Sequence, residues 1–283
     1  MVFTNFLKKK YKITTNRNLC LSNPISLNEK FQWYKINYRT PLMTICADKY
    51  AVREYVTECG LGHLLNEQYG VYDSFEEIDF SKLPEEVYIK CNHTSGINAL
   101  VHKHNLDVYT KKELNEYFNK GLRHNYYWET REWAYKNIKP KLICEKFLVS
   151  KNDNPLIDLN FFCFSGKVHL IYYNVGLADD KGRHSEGNRA ILDEDFRYIK
   201  GAYTKMKIID EKDVHLPNNM EQLKEYAERL SRPFPHARVD FFVINGSVYF
   251  GEITFYSASG FMFLKPNELY DKLGKVFDLD YCC

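Results

Sequence analysis

Late in the chain, Asn245-Gly246 separates two runs, Ala237 to Ile244 and Val248 to Ile253, that read as β-strands. Asn-Gly tolerates the positive φ angles of a two-residue hairpin turn, so it folds the two runs back on each other as antiparallel strands. The strands carry charge at particular points, in Arg238-Val-Asp240 on the first and Glu252-Ile-Thr254 on the second. Residues i and i+2 of a strand share a face. Arg238 therefore stands with Asp240 and Glu252 with Thr254, and the turn can bring Asp240 and Glu252 to one face, with Val239, Phe241 and Ile253 on the other. Two carboxylates and an arginine on one surface make a place for magnesium and phosphate: hard oxygen ligands suit that ion, and phosphates complete its octahedron. A solvated face with a surface ion pair is the competing reading.

The rest of the chain mixes helices and strands. Ser26-Leu-Asn-Glu29 has capping-box spacing and opens a helix through Phe31, Trp33, Tyr34 and Ile36, and Pro41 to Cys59 reads as a second helix stopped by Gly60. Val71 to Asp79 reads as loop, Val87 to Cys91 as strand, Val108 to Tyr127 as helix and Leu142 to Val149 as strand, with a turn at Ser150 to Pro155. Phe161 to Phe164 and Val168 to Tyr173 form a hairpin through Ser165-Gly166-Lys167, and Met220 to Leu230 is an amphipathic helix. The basic first dozen residues read as loosely held. Asp179 to Arg189 reads as a mobile loop, either a lid carrying Arg183, His184 and Arg189 or a plain solvated segment. The class is α+β with antiparallel sheets, and no linker cleanly separates two domains.

Length and charge narrow the functions. A chain of 283 residues makes one large domain or two small ones. Its 39 Lys and Arg against 37 Asp and Glu leave a charge of +2, too balanced for a protein that coats a phosphate backbone, so nucleic acid is not expected as the main partner. No run approaches about 18 apolar residues, so no membrane span is expected. Met1 to Lys12 lacks the apolar block of a secretory signal, and the expected compartment is the cytoplasm. The eight cysteines contain no CxxC pair: Cys91, Cys144 and Cys163 read as small buried hydrophobes and Cys282-Cys283 as a frayed, reduced tail.

Two further segments can meet a nucleotide. Lys90 ends an apolar strand and is followed by His93-Thr-Ser-Gly96, a small-residue loop whose N–H groups and nearby ammonium suit phosphates; an ordinary strand-turn with an exposed lysine is the alternative. Neither GxxxxGK[ST] nor a GxGxxG after a strand occurs. Glu145-Lys146-Phe147-Leu148 leaves a strand, where backbone groups can pair with the edge of adenine; the alternative is a surface ion pair. The aromatic stretch Tyr126-Tyr127-Trp128 to Trp133-Ala-Tyr135 reads as core, or as a surface for stacking sugar rings beside Lys136 and Lys139.

In their order these segments resemble the TupA-like branch of the ATP-grasp superfamily, named after a teichuronopeptide-biosynthesis protein. The resemblance runs from about Leu27 to Leu273 through Leu27-Asn-Glu-Lys30, Ala47-Asp-Lys-Tyr-Ala-Val-Arg-Glu-Tyr-Val56, Leu83-Pro84, Lys90 to Gly96, Tyr135 to Pro140, Phe161 to Lys167, Arg238 to Asp240 and Gly251 to Thr254. It implies two α+β subdomains that sandwich ATP, with 1–82 a helical N-terminal region, 83–144 the small subdomain and 145–283 the C-terminal subdomain with the metal site. It also implies an ATP- and magnesium-dependent carboxylate–amine ligase that forms an amide through an acylphosphate, joining an amino acid or amine to a sugar acid in capsule or cell-surface polysaccharide assembly.

The implied roles fall on particular residues. Lys49 and Lys90 contact the nucleotide phosphates, and His93, Ser95 and Gly96 close over them. Glu145, Lys146, Phe147 and Leu148 recognise adenine, and the acid that binds ribose is open between Asp153 and Asp158. Asp240 and Glu252 hold magnesium, Thr254 stands where the superfamily often has Asn, and Arg238 with Lys90 stabilises the transferring phosphoryl group. Asn160 replaces a lysine often found in TupA-like members, and Ser257 to Gly260 lines the acyl pocket or is a plain turn. Two other functions compete. A glycosyltransferase would use a DxD motif at a strand end, and Asp278-Leu279-Asp280 lies instead at the extreme C-terminus. A non-catalytic nucleotide-binding partner could dispense with the metal carboxylates, which are both present.

Overall fold

The Asn245-Gly246 hairpin forms one edge of the larger of two sheets in the computed structural model, which describes residues 2–148, 156–177 and 186–281. The smaller sheet comprises β1 (Gln68–Tyr72), β2 (Glu86–Cys91), β3 (Asn98–His102) and β4 (Leu142–Glu145), in the order β1-β4-β2-β3. The larger comprises β5 (Ile157–Phe164), β6 (Lys167–Val175), β7 (Asn188–Leu192), β8 (Lys207–Ile208), β9 (His236–Ile244) and β10 (Ser247–Thr254), in the order β10-β9-β5-β6-β7-β8. Every neighbouring pair is antiparallel except the short β7–β8 pair. The helices are α1 (Val2–Thr15), α2 (Leu27–Asn37), α3 (Pro41–Ala47), α4 (Val52–Glu58), α5 (Val108–Arg123), α6 (Tyr126–Thr130), α7 (Met220–Ser231) and α8 (Asn267–Val276).

Each sheet has its own core. Phe161, Val239 and Phe241 of the larger sheet join Phe31, Val56, Leu223 and Leu273 from α2, α4, α7 and α8. The smaller sheet packs Val87, Ile89, Leu142 and Cys144 against Phe118 of α5 in a separate cluster. Both hairpin turns have the positive φ angles their residues favour, 49° and 71° at Ser165-Gly166 and 50° and 81° at Asn245-Gly246. The capping box of α2 forms: Glu29 accepts the Ser26 N–H at 2.9 Å, and the Ser26 hydroxyl accepts the Glu29 N–H at 3.3 Å.

Several expectations change. The basic N-terminus is helical: Phe3, Leu7 and Tyr11, each four residues on, make one stripe, and Leu7 and Tyr11 are buried. The single helix expected from Pro41 to Cys59 is broken after Ala47, because Asp48 Oδ1 accepts the N–H groups of Tyr50 (2.8 Å) and Ala51 (3.3 Å) and so competes with the helix for its own backbone. The loop expected from Val71 starts inside β1, which pairs with β4. The helix from Val108 stops at Arg123, and α6 restarts after Asn125. The strand from Leu142 ends at Glu145, while Val149, the turn at 150–155, residues 179–185 of the expected lid and the last two cysteines lie outside the described residues. Cys91, Cys144 and Cys163 are buried and free. No helix among the described residues is long and apolar enough to cross a membrane.

Candidate active site

The polar face of the larger sheet begins on β9. Arg238 Nε donates to Asp240 Oδ1 at 2.8 Å, and its Nη2 reaches Asp240 Oδ2, Glu252 Oε1 at 3.0 Å and Thr254 Oγ1 at 3.2 Å. The Thr254 hydroxyl donates a hydrogen bond to Glu252 Oε1 at 2.9 Å. One guanidinium thus ties together both carboxylates and the hydroxyl expected to cooperate. The Asp240 side chain is 6% exposed and that of Glu252 38%, so the first is a buried anchor and the second opens to solvent.

A bulge puts Glu252 on this face. From the turn, β10 pairs regularly as far as Phe250 opposite Phe241. An unbroken ladder would then set Gly251 against Asp240 and Glu252 against Val239, on the opposite face. Instead Ile253 opposes Val239 and Thr254 opposes Arg238, so Gly251 and Glu252 together face Asp240. Glycine suits the position, since a Cβ at 251 would crowd the Asp240 carbonyl oxygen at 3.0 Å.

The polar face continues inward. Asn160 of β5 opposes Asp240 and donates to Asp158 Oδ1 at 2.6 Å; Asn174 of β6 donates to Asn160 Oδ1 at 2.8 Å; Arg189 Nε donates to Asn174 Oδ1 at 2.7 Å. The Arg189 guanidinium lies 4.0 Å from the Tyr172 ring. Arg189, expected on a loop, is therefore a strand residue. Burial, with the charge of Asp240 beside it, pushes the Asp158 carboxyl up to about 8. Burial also raises Asp240, to about 6, against the pull of Arg238. Burial pushes Glu252 the same way, but Lys49 and Arg238 outweigh it and hold its carboxyl below the usual range.

Facing this surface are cations from the other sheet and from the break between α3 and α4. Lys90 pairs with Glu145 at 2.6 Å, joining the expected phosphate and adenine segments, because β2 and β4 are neighbours. Lys49 donates to the Thr94 carbonyl at 2.7 Å and its N–H to the Asn92 carbonyl at 3.1 Å, while Asn92 Nδ2 donates to Asp48 at 2.9 Å. The helix break thus holds the small-residue loop in place. Ser95 and Gly96 form its exposed tip, Gly96 at φ 79°. The structure corrects the expectation for His93: its ring is buried, with Nδ1 on Asn92 Oδ1 (3.2 Å) and Nε2 on the His124 carbonyl (3.0 Å), so it anchors the loop and offers no edge to a ligand.

A crevice of about 40 Å³ separates the two walls, lined by Lys49, Lys90, Glu145 and Leu148 on one side and Phe242, Phe250 and Gly251 on the other. Leu148 also lines a groove of about 590 Å³ with Lys146, Phe147, Tyr69 and Tyr249. The Lys146 backbone is already engaged, its N–H by the Glu67 carbonyl (2.9 Å) and its carbonyl by Asn66 Nδ2 (2.8 Å). Among the described residues, the backbone left for a base edge is that of Phe147 and Leu148. Asp153, the other ribose candidate, lies outside the described residues.

Beyond β10 the chain makes a left-handed turn at Ala258 (φ 50°), Ser259 (φ 51°) and Gly260 (φ 70°), the first two at a steric cost of roughly 1–2 kcal/mol each. Lys35, fully buried, braces it by donating to the carbonyls of Ser259 (2.8 Å) and Thr130 (3.0 Å), and the Ser259 hydroxyl donates to buried Glu132 at 2.7 Å. Lys35 and Glu132 went unnoticed in the sequence, as did Asn174; a lysine amid the apolar run of a helix was the available signal for the first.

A model of the TupA-like ATP-grasp family matches residues 29–278. A search of curated proteins found no match. Among solved structures, a D-alanine–D-alanine ligase from Bacillus anthracis is 16% identical with a TM-score of 0.44, over 82% of this chain and 67% of its own. An L-amino acid ligase from Bacillus licheniformis is 15% identical at 0.45, over 90% and 55%. The ATP-grasp ligase PsnB, complexed with a minimal precursor, Mg and ADP, is 10% identical at 0.43, over 89% and 67%. The chain thus spans between about half and two thirds of the length of these ligases. Likeness that low decides little beside a family model covering nearly the whole sequence, and on that match the chain belongs to the TupA-like ATP-grasp family.

Proposed function

We propose that the chain is an ATP- and magnesium-dependent ligase that joins a carboxylate to an amine. The observation that carries this reading is the opposition of Asp240, Glu252 and Arg238 on one wall to Lys49 and Lys90 on the other. The donors suit the groups they would hold. Magnesium keeps few protein ligands, commonly one or two carboxylates with phosphates and waters, and Asp240 and Glu252 supply such a pair, with Thr254 orienting Glu252. Bound there, ATP would supply a γ-phosphoryl group to activate the substrate carboxylate as an acylphosphate, with ADP leaving, and magnesium would supply positive charge beside the phosphates.

The chain's own groups do the rest by electrostatics and position. Two anions must approach each other, and Arg238, Lys90 and Lys49 offset their repulsion. Lys90 would exchange Glu145 for phosphate, and the exposed tip Ser95-Gly96 would close over it. Leu148, at the junction of crevice and groove, would meet the base, and Asp158 would meet the ribose. The crevice has room for little beyond water, so nucleotide entry requires the sheets to part. The substrate class we infer is a sugar acid with an amino acid or amine, in the cytoplasmic part of capsule or cell-surface polysaccharide assembly.

The test incubates the chain with magnesium-ATP, sugar acids and amines and follows ADP and phosphate. Release that needs an acid and falls roughly 10²–10³-fold in Asp240→Asn and Glu252→Gln supports the ligase. UDP release from a UDP-sugar without ATP would make it a glycosyltransferase, although Asp278-Leu279-Asp280 follows α8 and no strand. Nucleotide binding without turnover would favour the non-catalytic partner.

A further inference from the structure

A groove of about 300 Å³ opens where α1 and the loop after it meet residues 261–270. Its charged lining residues are Arg17, Lys205 and Lys265, and no Asp or Glu lines it. In a chain whose acids and bases nearly balance, three cations without a carboxylate is a local excess that solubility does not require. The Glu29 carboxylate, on the adjoining turn, is occupied by the N–H groups of Ser26 (2.9 Å), Ile25 (3.3 Å) and Cys20 (3.4 Å). Lys265 donates to Asn267 Oδ1 at 2.7 Å, whereas the side chains of Arg17 and Lys205 have no hydrogen-bond acceptor among the described residues.

Aromatic rings complete the lining. Phe261 forms part of the wall, and Phe263 stands at the rim 6.1 Å from Tyr203; these two rings are 41% and 48% exposed. Two backbone hydrogen bonds of 3.0 Å pair Tyr203 with Lys265, so the two residues stand side by side. Two rings side by side make a contiguous apolar surface, and such a surface bordered by polar groups is where a ligand can stack. The apolar C–H face of a sugar ring does so, while its acidic substituent meets the cation alongside. Phe261 also connects the groove to the reaction centre, because the Lys35 ammonium that braces the turn after β10 lies 5.8 Å from its ring.

We propose that this groove binds an acidic saccharide chain, one whose rings carry carboxylate or phosphate, and presents it to the site beyond β10. Its role as the acceptor rests on the ligase reading; its binding rests on the groove alone. The test is calorimetric titration of the full chain with oligogalacturonides, a phosphomannan fragment, a neutral malto-oligosaccharide of equal length and a single-stranded oligonucleotide. An Arg17→Glu/Lys205→Glu variant, changed only at exposed positions, is titrated in parallel, with its thermal midpoint confirming the fold. At least one acidic saccharide should bind at least tenfold more tightly than the neutral one, identify the acidic group, and lose at least tenfold in the variant. Equal binding of the neutral sugar, no binding of either acidic one, an unchanged variant or preference for the oligonucleotide overturns the proposal. A fluorescent nucleotide with magnesium is titrated alongside: failure to bind it in both proteins strikes the ligase reading and leaves the groove result standing.

Discussion

The two sheets hold their charges in different ways. On the larger sheet Arg238, Asp240, Glu252 and Thr254 are bonded side chain to side chain, and the ladder runs on through Asn160, Asn174 and Arg189. On the facing side, Lys90 rests on the single carboxylate of Glu145, and Lys49 on a loop carbonyl. One wall is assembled in advance, on a sheet backed by five helices; the other is held by contacts a ligand could replace, on a sheet with a small core of its own. On the ligase reading, the contrast teaches that the metal would be held where the side chains already support one another, and the phosphates where present contacts would be exchanged on binding.

Four measurements would break or sharpen this contrast. Arg238→Met leaves Asp240 and Glu252 facing each other without their common counterion and should cost about 3–5 kcal/mol in denaturant unfolding, against about 1.5–3 kcal/mol for Lys90→Met; equal losses would erase the distinction. Phe118→Ala empties the centre of the small core, a change worth about 3–5 kcal/mol, and hydrogen exchange should quicken in β2 and β4 while β5 and β9 stay protected. Exchange quickening equally in both sheets would mean one body. Gly251→Ala presses a methyl group on the Asp240 carbonyl; it should destabilise by about 1–3 kcal/mol and weaken magnesium-dependent nucleotide binding more than metal-free binding.

The last concerns acid. Burial lowers His236 to about 3, with Nδ1 donating to the Cys163 carbonyl at 2.8 Å. Unfolded, the ring takes a proton near its ordinary value of about 6.5. Between those values the unfolded chain binds a proton that the folded one refuses, so stability falls as pH drops, by at most about 1.4 kcal/mol per unit. The thermal midpoint of His236→Phe should change less with pH across that window than that of the unaltered chain.

Legibility followed sequence distance. The Asn245-Gly246 turn and the capping box at Ser26 are local chemistry, and both formed as read. The acid face was anticipated correctly, yet the turn alone would have set Glu252 opposite Val239; the bulge that moves it was signalled only by Gly251, a glycine inside a strand. The pairing of Lys90 with Glu145 depends on β4 lying beside β2, 55 residues away, which no local pattern encodes. His93 looked like a ligand because polar loop residues resemble one another until their partners are known, here the carbonyl of His124. The N-terminal helix was missed because its lysines distract from a stripe spaced by four.

The brace formed by Lys35 and Glu132 has a consequence for selectivity. Two peptide segments and a hydroxyl are stitched to an interior ammonium and carboxylate, so the stretch leaving the last strand cannot be remoulded by side-chain rotation alone. On the ligase reading, a substrate arriving there would have to match a rigid template, and discrimination would come from exclusion of the wrong shape more than from accommodation of the right one.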